Sequence, residues 1–190
     1  MDRSDILSAD EYAIVRDEKR AVFRLRKQLR RAYVGPYATF YFENYETMWL
    51  QVQEMLRIEQ GGEDQIIQEL EAYNPLIPTG NELVATMMLE IESPILRDKE
   101  LRRLGEIENF VYILLGEKQI KARPELDQQR TDEDGRTSSV HFFHFPFDKE
   151  DIINFKDHTI EAFLQIKHPE YSHSTTFREN VRNELAKDFD

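Results

Sequence analysis

The chain has 190 residues, of which 40% are hydrophobic and 33% charged, and a chain of this size can bury roughly 70% of its unfolded surface in one globular domain. It contains no cysteine, which excludes disulfides, thiolate catalysis and cysteine-ligated zinc or iron–sulfur centres. The first residues lack the long apolar segment of a secretory signal, and no run of about 18 apolar residues occurs, so we expect a cytoplasmic protein without a membrane span.

The formal net charge of −12 is unevenly distributed. Residues 16–31 hold eight basic and two acidic side chains, a local charge of +6, and the remaining residues therefore carry −18. Such a basic segment can bind nucleic acid or lie against the acidic body of its own protein. Because the acidic remainder repels phosphate, the sequence argues against nucleic-acid binding through residues 16–31.

The N-terminal part of the chain predicts a long basic helix. Ser8 and Glu11 have the spacing of a capping box, which marks the start of a helix. A broken apolar stripe continues from there to Tyr33, and Gly35-Pro36 follows it. We therefore predict a helix over residues 9–34.

A strand and a second helix come next. Residues 37–43 alternate between an apolar side and a side of tyrosines, threonine and glutamate, which is typical of a strand. Asn44 is a good helix cap, and the apolar residues after it recur at helical spacing until Gly61-Gly62. Trp49 belongs to this stripe, so we expect it to pack against the sheet.

The second half of the chain predicts further strands joined by hairpins and short helices. These strands cover residues 83–91, 107–115, 118–123, 139–147 and 159–167. The pattern favours an α+β fold with a mainly antiparallel sheet covered by amphipathic helices. We expect a single domain over residues 1–190, with its core in residues 36–168 and a C-terminal helix over residues 174–190.

The histidines do not predict a metal site. His141 and His144 are three residues apart in a predicted strand, so they point to opposite faces and cannot chelate one ion. Glu170-x-x-His173 has the spacing used in di-iron helical bundles, but it occurs once, whereas those bundles need two copies. The sequence therefore predicts no metal and no cofactor, with His141 as a buried residue of the sheet.

Several polar side chains beside the predicted strand and helices indicate a pocket for a ligand or a partner. Residues of four different elements could meet at one end of the sheet. The candidate binding residues are Glu43, Gln53, Glu54, Arg57, Tyr73, Asn74 and His141. A plainer interpretation is also open, because a pair such as Glu54 and Arg57 commonly decorates a helix surface. No phosphate-binding or hydrolase motif is present, so catalytic residues stay unassigned and a non-enzymatic role is favoured.

Four segments resemble the signatures of a bacterial family, DUF3501, whose members are uncharacterised. The segments are Phe42 to Glu59, Tyr73 to Thr86, Ser139 to Phe145, and His168-Pro169-x-Tyr171. Tyr-Asn-Pro-Leu-Ile-Pro at residues 73–78 is the most specific part, and the similarity covers nearly the whole chain. His144 stands where the family pattern leads us to expect a basic residue such as arginine.

The resemblance implies no reaction, because the family has no assigned activity. Its genes are neighbours of a rubrerythrin and an iron–sulfur oxidoreductase, which implies a cytoplasmic accessory protein with a redox partner. The basic helix and the C-terminal helix would be its contact surfaces. The alternatives are a small-ligand-binding protein or enzyme that uses the polar pocket, and a nucleic-acid-binding protein.

Overall fold

Nine strands form two antiparallel sheets in the computed structural model, which describes residues 1–125 and 130–190. The strands are β1 Arg31–Val34, β2 Ala38–Glu43, β3 Glu82–Leu89, β4 Val111–Leu115, β5 Lys118–Lys121, β6 Arg123–Pro124, β7 Val140–Pro146, β8 Ala162–His168 and β9 Tyr171–Thr176. The helices are α1 Ala9–Leu29, α2 Tyr45–Glu59, α3 Gly62–Tyr73, α4 Pro94–Arg103, α5 Lys149–Lys156 and α6 Glu179–Leu185. The first sheet has the order β1-β2-β3-β7-β6 and the second the order β5-β4-β8-β9. The predicted α+β class with antiparallel sheet is confirmed.

The two sheets share one hydrophobic core. Alternate residues of each strand point inward, as the period of two requires. Phe40 of β2 and Phe143 of β7 are fully buried there, with ring centroids 6.2 Å apart. Ile113 and Leu164 contribute the matching face of the second sheet. Helices α4, α5 and α6 add further apolar side chains to the same core.

The outer face of the first sheet is covered by α2, and α1 lies on α2. Met48 packs with Val84 of β3, whereas Tyr12 of α1 packs beside Trp49 of α2. Trp49 therefore faces away from the sheet, and the prediction that it packs against the sheet is wrong. Its neighbour Met48 occupies the sheet-facing position, and the Trp49 ring meets Tyr12 edge-on at 5.9 Å.

Helix α1 is shorter than predicted, since it ends at Leu29 and residues Arg31–Val34 form strand β1. The buried Arg30 accounts for the change. Its guanidinium donates hydrogen bonds to the carbonyl oxygens of Phe42 and Glu43 and forms an ion pair with Asp188. These distant contacts, which the local apolar stripe does not reveal, override the helical period.

The C-terminal helix predicted over residues 174–190 is also wrong in extent. Strand β9 continues to Thr176, which pairs with Phe163 of β8, and α6 covers only Glu179–Leu185. Because β1 and β9 belong to the sheets, the core extends beyond residues 36–168 on both sides. In the two described stretches, no helix is both long and apolar enough to cross a membrane.

Candidate functional site

A cleft of about 460 Å³ separates the start of the chain and α1 from the helix pair α2–α3. Leu7, Tyr12, Leu56 and Ile66 are among the residues of its walls. Its volume lies within the range of about 300–1,000 Å³ typical of small-ligand sites. The cleft is therefore large enough for a small molecule, and most of its surface is apolar.

One wall of the cleft is fixed by Glu54 of α2. Its carboxylate accepts a hydrogen bond from the Tyr12 hydroxyl (2.6 Å) and two from the Arg16 guanidinium (2.7 and 2.9 Å). The bonds from Arg16 lower the pKa of Glu54 to about 2, and burial raises the pKa of Tyr12. Glu54 thus holds α1 on α2 and its oxygens are already engaged.

Asn74 holds the first residue of the chain in place. Its side-chain amide donates to the Met1 carbonyl oxygen, and its Oδ1 accepts from Met1 N, both at 2.9 Å. Tyr73, the preceding residue, contacts the Gln51 amide through its hydroxyl at 3.4 Å. Asn74 therefore positions the segment that forms the mouth of the cleft, and it does not line the cleft itself.

Two further contacts attach the N-terminal segment, residues 1–8, to the helices. The Trp49 indole N–H donates to the Asp5 carbonyl oxygen at 2.8 Å. Arg3 forms a two-point ion pair with Glu63 of α3 through bonds of 2.8 and 2.6 Å. The charges of Arg3 and Glu63 cancel at the rim of the cleft.

Gln53 and Arg57 are two residues of the cleft whose side-chain nitrogen atoms have no protein partner. Gln53 is only 2% exposed, and its side-chain amide nitrogen has no hydrogen-bond partner. Arg57 makes no ion pair or hydrogen bond with any part of the chain that the structure describes. The two residues are four apart in α2, so they project from the same face, and both line the cleft.

Glu43 lies elsewhere, between α2 and the outer face of the first sheet. Its two oxygens accept hydrogen bonds from the hydroxyls of Thr47 (2.6 Å) and Thr86 (2.7 Å). Burial raises the pKa of Glu43. Its carboxylate is hydrogen-bonded and lines a separate cavity of about 250 Å³ with Lys27.

His141 is on the inner face of the first sheet and is fully buried, as predicted. Its Nε2 lies 2.9 Å from the Ser138 carbonyl oxygen, which can only accept, so this nitrogen carries the proton. Burial lowers the pKa of His141. His144 lies on the outer face, and the expected separation of the two rings is confirmed. Among the described residues, no three His, Asp or Glu side chains converge on a metal position.

The single pocket predicted for the seven polar residues does not form. Glu43 and His141 point to opposite faces of one sheet, because Glu43 is in register with Val84 and His144, and His141 is three residues from His144 along the same strand. Gln53 and Arg57 line the cleft together, whereas Glu54 and Asn74 position its walls. The sequence did not indicate the lining residues Leu7, Tyr12, Leu56 and Ile66. The last three belong to the apolar stripes of predicted helices, which core packing explains equally well, and Leu7 lies outside every motif.

The sequence model of DUF3501, described as a protein of unknown function, matches residues 1–189. The chain belongs to the DUF3501 family. The resemblance drawn from its four signatures is thereby confirmed. No curated protein matches the chain.

A solved structure shows the same fold. It is the 1.90 Å crystal structure of a protein of unknown function from Burkholderia pseudomallei K96243. That protein is 32% identical in sequence, and the two superpose with a TM-score of 0.91 over 100% of this chain and 99% of the other. Neither description names a reaction for the DUF3501 proteins.

Proposed function

We propose that the protein binds a small organic anion, a carboxylate with an apolar body, in the cleft between the N-terminal segment and α2–α3. The buried amide of Gln53, which has no protein partner and lies one turn from the unpaired Arg57, carries this proposal. A buried polar group without a hydrogen bond costs about 1–3 kcal/mol. This nitrogen is shielded from solvent, so a ligand oxygen accepts from it once the Gln53 side chain turns into the cleft that it lines, and the bond then removes this cost.

Arg57 favours a carboxylate as the ligand's polar end. A guanidinium binds a carboxylate through two parallel hydrogen bonds, which are stronger than bonds between neutral groups. The acidic residues near the cleft do not compete, because Glu54 is paired with Arg16 and Glu63 with Arg3. Leu7, Leu56 and Ile66 can then bury the apolar part of the ligand.

The arrangement supports binding more than catalysis. Tyr12 is held in its protonated form by burial and by its bond to Glu54. Ser8 caps α1 and exchanges hydrogen bonds with Glu11. In the described residues around the cleft, both hydroxyls thus donate to carboxylates that have structural roles, since Glu54 is held by Arg16 and Glu11 completes the cap of α1.

Titration with sodium octanoate, followed by the fluorescence of Trp49, tests the proposal. Trp49 is the single tryptophan of the chain and touches Tyr12, which lines the cleft. We expect saturable binding of octanoate and at least about tenfold weaker binding of octanol, since a charge-assisted hydrogen bond contributes roughly 1.5–3 kcal/mol.

Arg57→Gln and Gln53→Leu should each weaken octanoate binding about tenfold or more. Arg97→Gln is the matched control, because Arg97 is exposed on α4, away from the cleft. Urea unfolding checks that the variants stay folded. Equal affinity for octanoate and octanol, or unchanged binding in Arg57→Gln, would contradict the proposal.

The accessory role beside a rubrerythrin or an iron–sulfur oxidoreductase stays a prediction of the resemblance. Neither the family description nor that of the Burkholderia protein names a redox partner. The two ideas are compatible, because a ligand-binding protein can also serve a partner. Octanoate binding tests only the cleft.

A further inference from the structure

The side of α1 that faces away from the protein carries an unpartnered apolar ridge. Ile14 and Leu25 are 83% and 69% exposed, and Ala21 between them is exposed as well. These positions are seven and four residues apart, so they fall on one line along the helix. The buried residues Tyr12 and Phe23 lie on the opposite side. The ridge is thus not needed to attach α1.

Charges flanking this ridge change sign along the helix. Asp17 and Glu18 lie in the N-terminal half, and Arg20 and Arg24 lie in the C-terminal half. Asp17 is 99% exposed, and its contact with Arg16 is long, at 3.8 Å. Arg16 itself is held by Glu54 through two shorter bonds. Arg20 and Arg24 form no ion pair in the part of the chain that the structure describes.

We propose that this ridge is a dimer interface, in which α1 packs antiparallel against α1 of a second copy of the chain. With a two-fold axis between Arg20 and Ala21, Asp17 of each copy faces Arg24 of the other copy. A two-fold contact forms each such pair twice. A parallel arrangement would instead oppose Asp17 to Asp17 and Arg24 to Arg24. The charge pattern therefore complements itself only in the antiparallel orientation.

The shape of the surface fits the same partner. A shallow groove is lined by Asp17, Arg20, Ala21, Arg24 and Leu25, and the small Ala21 leaves room for an apolar side chain of the second copy. Helix packing of this kind inserts the ridges of one helix into the grooves of the other. With 21 residues, α1 offers a contact about 31 Å long at 1.5 Å per residue.

A second copy fits this face better than nucleic acid does. Phosphate binding needs a continuous basic surface, but Asp17 and Glu18 interrupt it. The structure also neutralises part of the basic segment internally, because Arg16, Arg26 and Arg30 pair with Glu54, Glu46 and Asp188. The dimer proposal is independent of the cleft, since Ile14 and Leu25 do not line it.

Sedimentation velocity of the full chain over a range of protein concentrations tests the interface. We expect the wild-type chain to dimerise. Asp17→Arg and Arg24→Asp should each raise the dimer dissociation constant about tenfold or more, since like charges then face each other. The double variant, with both changes in every chain, restores opposite charges across the axis and should recover the dimer.

Glu71→Arg, an equal change of charge at an exposed position of α3, is the control and should leave the dimer unchanged. Circular dichroism verifies that the helices are retained in every variant. A monomeric wild-type chain would overturn the proposal. It would also be overturned if the double variant dimerised no better than Asp17→Arg. Octanoate titration of Asp17→Arg should give the wild-type affinity.

Discussion

His144 lies between two carboxylates where β7 pairs with β6. Its Nδ1 is 3.0 Å from Glu82 and its Nε2 is 2.7 Å from Glu125. A neutral imidazole has a single N–H, so both contacts are hydrogen bonds to a carboxylate only when the ring is cationic. The bond to Glu82 and the bond to Glu125 raise the pKa of His144, and the pKa of Glu82 is lowered in turn.

The cationic ring also accounts for the residue type at this position. The family pattern favours a basic residue such as arginine, and a protonated His144 presents the same charge to Glu82 and Glu125. Arg123 is the register partner of His144 across the sheet, and it adds a second positive charge at this edge. The sequence could indicate a basic requirement here, but not the two carboxylates, because Glu82 is 62 residues away.

The stabilisation from His144 should depend on pH in a defined direction. Since the folded-state pKa is raised, the contribution is complete below the unfolded value of about 6.5. It is lost as the pH rises through the higher folded-state pKa. Urea unfolding should therefore show His144→Gln to be more destabilising at about pH 5.5 than at about pH 9.

Nuclear magnetic resonance titration gives the matching control. Glu82→Gln removes the larger cause of the shift, so it should lower the pKa of His144 towards its ordinary value. A His144→Gln effect of the same size at both pH values would show that the ring is not held as a cation.

At the scale of elements, α1 is attached mainly through a few side chains. Tyr12 and Phe23 are its buried residues, and the group formed by Tyr12, Arg16 and Glu54 connects it to α2. A second ion pair, Arg26 with Glu46, is about half exposed. Exposed pairs contribute little, because water screens them and long side chains lose freedom. The partly buried group around Glu54 should therefore dominate.

Glu54→Gln tests this difference. The substitution keeps the size of the side chain but replaces the charged acceptor of three hydrogen bonds, so we expect a loss of about 1–2 kcal/mol in the free energy of unfolding. Glu46→Gln is the control and should cost less than about 0.5 kcal/mol. Hydrogen exchange should speed up in α1 of the Glu54 variant alone. Equal effects of the two substitutions would contradict the assignment.

Local patterns predicted the elements whose neighbours are close in sequence or whose period is unbroken. The strand near residues 37–43 corresponds to β2, the helix after Asn44 to α2, and the strand near residues 139–147 to β7. Strand β1 lies within the helix predicted over residues 9–34, and only the last residues of strand β9 lie within the helix predicted over residues 174–190. Their strand conformation depends on pairing and on buried groups such as Arg30, which a local window does not contain.

The candidate site, too, could be predicted only where its residues are close in sequence. Gln53 and Arg57 share one helix face, so their meeting in the cleft follows from helical spacing alone. The opposite wall comes from residues 1–12, which reach α2 through contacts separated by about forty residues, such as Tyr12 to Glu54. The grouping of Glu43 with His141 failed because the two side chains lie on opposite faces of the first sheet: Glu43 is in register with Val84 and His144, whereas His141 is in register with Met87.

At the scale of the whole molecule, Tyr171 joins the two sheets. Its hydroxyl, on β9 of the second sheet, accepts from the backbone N–H groups of Tyr37 and Ala38 and donates to the Val34 carbonyl oxygen at 2.7 Å. Gly35 lies in this turn of the first sheet at φ +68°, where a Cβ would sit 2.7 Å from the Tyr171 hydroxyl. The glycine therefore leaves the space that the Tyr171 hydroxyl occupies, and this hydroxyl in turn satisfies three backbone groups of the turn.

Tyr171→Phe removes all three hydrogen bonds and changes little else in volume. Because the ring is 2% exposed, water cannot readily replace them, and we expect a loss of about 3 kcal/mol in the free energy of unfolding. Tyr112→Phe, on the neighbouring strand β4, is the control and should stay within about 0.5 kcal/mol of the wild type. Since the two sheets share one core, urea unfolding of both variants should remain a single cooperative transition. Two separate transitions in Tyr171→Phe would mean instead that the sheets are independent units held together chiefly by this hydroxyl.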